Sequence, residues 1–200
     1  MEVRTISTGN ANNAKRRYIH FLLFGILYVG IQEFWVSVLW KGSLISFALA
    51  VVITEVLYLT FAFFVGKWID AIFSKIRIAD LVAYVVCGLV GLITIEWIFV
   101  GNRPGETEAN QFVMFTTWGG AALFARMMTD SSANVVKVKL YALRFFLLFT
   151  GLATLLGLIF AVINSQLSFA ITYVAAILGY PIMNVFFIWY FFIKARGSEA

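Results

Sequence analysis

The sequence predicts an all-α, polytopic membrane protein: a six-transmembrane-helix bundle with N- and C-termini cytoplasmic. Three observations carry this expectation. The 200 residues are 62% hydrophobic and only 12% charged, with a mean hydropathy of +0.92, whereas soluble domains carry about 25% charged residues. Six apolar runs have the length a helix needs to cross a bilayer, about 20 residues each. The positive charge gathers on one side when the runs are threaded in alternation.

Residues 1–17 (MEVRTISTGNANNAKRR) are polar and end in three basic residues, so they read as an N-terminal tail stopping at the membrane surface. The KRR resembles the start of a signal peptide. No A-x-A-like site follows, however, and the apolar pattern runs past Gln32 and Glu33 to Trp40, which predicts a retained first span. The runs lie at about 18–40, 43–66, 79–100, 111–128, 140–164 and 168–193. Between them fall the short break 40–43, the basic stretch 67–80, the turn-rich GNRPG at 101–105, the segment 129–139 and the break Asn164-Ser165-Gln166. The fourth run is short, carries Gly119-Gly120 at its centre and ends in Arg126. Residues 194–200 form a C-terminal tail.

With the N-terminus inside, thirteen of the 15 Lys and Arg are cytoplasmic and only Lys41 and Arg103 lie outside. Merging or adding one span would put basic loops on the wrong side. Topology therefore explains the net charge of +5, and nucleic acid is not expected as a partner. The expected location is a bacterial inner (plasma) membrane. The single cysteine, Cys87, and the single histidine, His20, offer no disulfide and no His/Cys cluster, so no metal and no cofactor is expected.

An ionisable residue at mid-helix costs on the order of 2.5–3.5 kcal/mol on insertion scales, so three intramembrane glutamates need a reason. At ~1.5 Å per residue, Glu96 lies roughly 7 Å and Glu33 about 10 Å below the outer ends of their spans, and Glu55 is deepest, at roughly 18 Å. Ala48, Val51, Tyr58, Ala62 and Gly66 share the helical face of Glu55, which is expected to look inward. Gly30, Glu33 and Ser37 share an arc on span one, whereas Glu96 lies off the small-residue stripe Ala83, Cys87 and Gly91 of its own helix. In span six, Pro181 removes one helical hydrogen bond, leaves the carbonyl of Ile177 short of a donor and predicts a kink, with Asn184 three residues on. Glu55, Glu33, Asn184, Ile177 and Pro181 are the candidate proton or cation site, and Glu96 is a weaker candidate. Arg126 and Arg144 are expected to snorkel to lipid headgroups. The outer loop with Arg103 and Glu106 reads as a solvated turn.

Three functions compete. The first is a small transporter or channel using the intramembrane glutamates for a proton or cation. The second is a non-catalytic membrane subunit or assembly factor of a larger complex. The third is a membrane-embedded enzyme acting on a lipid or isoprenoid, with Glu33 and Glu96 as an acid/base pair, although no nucleophile beside a base appears in the spans. The partners to expect are the lipid bilayer, a proton, cation or small hydrophobic ligand, and another membrane protein or a second copy of the chain.

Overall fold

The computed structural model describes residues 8–73, 78–101 and 108–196. They form six long helices and, among these residues, no strand. Helix α1 runs over Thr8–Phe34 and continues with π geometry through Trp35–Trp40. Helix α2, Leu44–Ile72, opens on a Ser43 cap, whose hydroxyl accepts from the Ser46 amide, and is π-helical over Ala50–Glu55. Helix α3, Ala79–Val100, turns π-helical over Gly91–Val100 and stops at Gly101, whose φ of 85° suits only glycine without strain. Helix α4 spans Glu108–Thr129, α5 spans Val136–Ile163 after a short 3-10 turn, and α6 spans Ser165–Arg196.

Helix α1 starts at Thr8, well before the apolar run. Residues 12–17 are exposed and helical, so the polar segment read as a tail extends the first helix beyond its apolar part. Likewise α6 continues through the Lys194–Arg196 end of the expected C-terminal tail. The loop carrying Arg103 and Glu106 lies outside the described residues.

Five helices are long and apolar enough to cross a membrane: α1, α2, α3, α5 and α6. The chain is thus an all-helical, multi-pass membrane protein. Their outward faces carry Leu, Ile, Val and Phe, for example Leu57, Phe61 and Phe64 on α2 and Leu148, Leu152 and Leu155 on α5. Helix α4 is of another kind. Every residue of 116–125 is buried, because α1, α3, α6 and the π-helical end of α3 surround it. Its two glycines make this possible. A Cβ at Gly119 would lie 2.8 Å from the Tyr84 carbonyl oxygen of α3, and one at Gly120 would lie 2.6 Å from the Tyr28 hydroxyl of α1.

The core is aromatic. Tyr28 stacks on Phe146 at 5.1 Å and meets Phe124 at 5.2 Å and Tyr180 edge-on at 5.0 Å, so α1, α4, α5 and α6 lock around one ring cluster. Helices α5 and α6 pair along their length, as do α1 with α4 and α3 with α4. Helices α2 and α6 share no comparable packing, because α1 and α4 lie between them.

Candidate functional site

The polar side chains collect at two levels of the bundle, one in the half nearer the Trp40 turn and one at the opposite end.

At the first level lie the three glutamates, each in or next to a π-helical stretch. Glu33 precedes that of α1, Glu55 ends that of α2, and Glu96 lies within that of α3. A π turn bonds i to i+5 and recurs at functional positions. It also rotates what precedes it, which corrects one expectation: Tyr58, Ala62 and Gly66 are buried with Glu55 but Ala48, on the far side of the stretch, is exposed.

Glu55 is 2% exposed, and neither carboxylate oxygen has a hydrogen-bond partner among the described residues. Its Oε2 would lie 3.2 Å from a Cβ at Gly30, so the carboxylate is pressed against the α1 backbone where a glycine makes room. Glu33, half-buried, accepts a hydrogen bond from the Ser37 hydroxyl one turn on. It lies one turn beyond Gly30, against which the Glu55 carboxylate packs. Glu96 is buried and accepts from the Trp118 indole N–H of α4 at 2.9 Å. Gly91 leaves the space through which Trp118 reaches it. The Thr117 hydroxyl donates to Gln32 at 3.1 Å, and the Trp97 indole donates to Gln111 at 2.6 Å, so α4 is tied to α1 and α3 at this level.

The span-six candidates lie elsewhere. Helix α6 stays helical through Pro181, Ile177 has an exposed side chain, and Asn184 accepts from the Tyr84 hydroxyl of α3 at 3.2 Å. Glu55 packs against Gly30 on the helix that carries Glu33, whereas Asn184, Ile177 and Pro181 belong to a helix that shares no comparable packing with that of Glu55. Tyr180, next to Pro181, donates its hydroxyl to the Tyr28 carbonyl of α1 at 2.9 Å.

At the opposite end an ionic network joins four helices. Arg126 of α4 donates from Nε and Nη2 to Asp80 Oδ1 at 2.9 and 2.7 Å, and from Nη2 to Asp70 Oδ1 at 2.7 Å. Lys194 of α6 meets Asp80 Oδ2 at 2.7 Å and Asp130 Oδ2 at 3.2 Å. The Tyr190 hydroxyl donates to Asp130 at 2.8 Å. Burial alone would raise the Asp130 carboxyl, but hydrogen bonds from Ser132 and Tyr190 and the charge of Lys194 hold it down at about 2.

This network corrects the headgroup expectation for Arg126. Its guanidinium turns into the bundle because two aspartates on neighbouring helices end at the same level, and Gly66 leaves the passage that a side chain there would block. Arg144 is exposed. Sequence reasoning missed Asp70, Asp80, Asp130, Tyr190 and Lys194 by assigning them to loops and helix ends. The alternating topology already put all five at the end of the bundle where Arg126 lies, and that shared level was the available signal.

One groove of about 420 Å³ opens on the outer face between α1 and α5, lined by Ile31, Phe34, Leu147, Thr150 and Thr154 among others. Both threonine hydroxyls are already engaged, Thr150 with the Phe146 carbonyl and Thr154 with the Trp35 indole. The groove therefore suits apolar chains, and the glutamate level holds the polar chemistry. The described residues contain no group of three His, Cys, Asp or Glu side chains spaced to hold a metal ion. Compared with known proteins, the chain matches no family model, no curated protein and no solved structure.

Proposed function

We propose that the protein is a small transporter or channel that binds and releases a proton at Glu55, with Glu33 as the group through which the proton enters. The observation that carries this reading is the Glu55 carboxylate, buried at mid-bundle with neither oxygen hydrogen-bonded among the described residues. An intramembrane acid without a structural partner is expensive, and that cost favours a role in ion or proton handling. Glu33 differs in being half-buried, which suits a group that exchanges with water before passing a proton inward. The absence of a three-ligand metal set among the described residues favours a proton over a multivalent cation. In this reading α4 is a sixth crossing, and both termini lie on the cytoplasmic side.

Proteoliposomes carrying a pH gradient and an internal pH dye test the proposal. Proton flux is expected in the parent chain and lost in Glu55→Gln, with Glu33→Gln slowing it. Flux equal in the parent and Glu55→Gln overturns the reading. Cysteines at Lys41 and Gln166, on a Cys87→Ser background in whole cells, are expected to react with an impermeant thiol reagent while one at Ser132 stays silent. The reverse pattern refutes the topology.

A further inference from the structure

We propose that the network around Arg126 is a gate that closes the end of the bundle opposite the glutamates, built from one fixed ion pair and three releasable ones. The inference rests on the transport reading above, since a site reached from one side needs a barrier on the other.

The division follows from exposure. The side chains of Arg126 and Asp80 are 10% and 7% exposed, joining α4 to α3, two helices already packed along their length. Pulling this pair apart would strand a buried charge on each side. Asp70, at the end of α2, is 44% exposed, and Lys194, at the end of α6, is 42% exposed. These two sit at the ends of the two helices that lack packing on each other. Water can take over the solvation of each, so α2 and α6 can leave the α3–α4 pair while Arg126 and Asp80 stay joined. Helix ends that separate by small rigid shifts about a packed pair are a recurrent switching geometry.

What lies behind the network fits a barrier. Inward of the network the Tyr84–Asn184 hydrogen bond joins α3 to α6, with Phe187 against the Tyr84 ring at 6.3 Å, and the rings of Tyr28, Phe124 and Phe146 fill the core beside them. Asn184, half-buried behind Tyr190 and Phe187 on α6, is a polar side chain that opening of this end would expose further. Half-exposed pairs of this kind hold a contact by no more than about fivefold each, a strength suited to repeated opening.

The test uses purified full-length chain with Cys87→Ser and Asn184→Cys, and the probe is a water-soluble maleimide. Labelling is expected to be slow at about 0.05 M salt and several-fold faster at about 0.5 M, where the screening length is about threefold shorter. Adding Asp70→Asn and Lys194→Gln together is expected to raise the low-salt rate about five- to twentyfold and to abolish the salt response. A rate indifferent to salt in the parent network overturns the gate, as does an unchanged rate in a doubly substituted chain that still elutes as the parent does. If the double substitution fails to fold, the salt series on the parent network decides. Labelling does not involve Glu55, so a salt-independent rate removes the gate and leaves proton binding standing. Proton flux that survives Glu55→Gln removes the transport reading whatever the labelling shows.

Discussion

Replacing Glu55 by methionine should make the protein more stable while removing its proposed activity. A buried polar group without a hydrogen-bond partner carries a desolvation cost of about 1–3 kcal/mol, and both Glu55 oxygens are in that condition. Methionine has similar length and adaptable rotamers, and a volume-conserving swap costs less than about 1.5 kcal/mol. The contact at Gly30, where Oε2 sits 3.2 Å from the position a Cβ would take, leaves room for a flexible side chain rather than a branched one. The expected net effect is stabilisation by about 1 kcal/mol, a factor of about five in the unfolding equilibrium. The assay is reversible unfolding of purified protein in mixed micelles with increasing denaturing detergent, read by tryptophan fluorescence. Glu96→Met is the internal control. It strips the acceptor from the Trp118 indole and should destabilise by about 1–3 kcal/mol. Glu55→Met destabilising by more than about 1 kcal/mol would show that the carboxyl is a structural partner, and the argument from its burial would fail.

The ionic end makes two further predictions. Arg126→Met should cost up to about 3–5 kcal/mol, because it takes the buried guanidinium from Asp80 and leaves that buried carboxylate only the half-exposed Lys194, and Arg126→Met with Asp80→Leu should recover most of that loss; the same micelle unfolding assay checks both. The Asp130 carboxyl is held at about 2 in the folded chain, below the ordinary value of 3.8. Its contribution is therefore fully present above about pH 4 and lost as pH falls toward 2. Unfolding midpoints measured from pH 5 to pH 2 should fall, and Asp130→Asn should flatten that fall; an identical slope in the variant would refute it.

Apolar run length is a strong signal where one face of a helix meets lipid, and five of the runs fall in helices long and apolar enough to cross a membrane, although α1 begins ten residues before its run and α2 ends six after. The signal weakens for α4. Its Gly119 and Gly120 read as features of a marginal span, yet with Thr117 they are what a helix enclosed by others requires: a hydroxyl that reaches Gln32 of α1 and glycines that admit Tyr28 and Tyr84. The inward face of Glu55 was legible from small residues at helical spacing, but only C-terminal to the π stretch, because a 3.6-residue period cannot register an inserted residue. Glu33 and Glu96 were visible as acids near the outer ends of their spans and Glu55 as the deepest of the three. The division of Asn184 from them was not, since depth along a helix says nothing of which helices are neighbours. Arg126 shows the same limit. Snorkelling is the default for an arginine at a helix end, and only the packing of α2 and α3 beside α4 gives it nearer partners than phosphate.

The enclosure of α4 bears on how the chain is made. A helix rich in threonine and glycine gains little from entering lipid alone, and α4 is not among the helices apolar enough to be retained by composition. By the time it leaves the ribosome, α1 and α3, which form one side of its sheath, have already been synthesised, while α5 and α6 are still to come. In the six-crossing reading its insertion therefore depends on a half-built protein wall more than on the bilayer. Substitutions on α1 or α3 that face α4, such as at Tyr28, Tyr84 or Gly91, would show themselves as a helix left out of the membrane and cleared by quality control, before any fault in the finished protein could be measured.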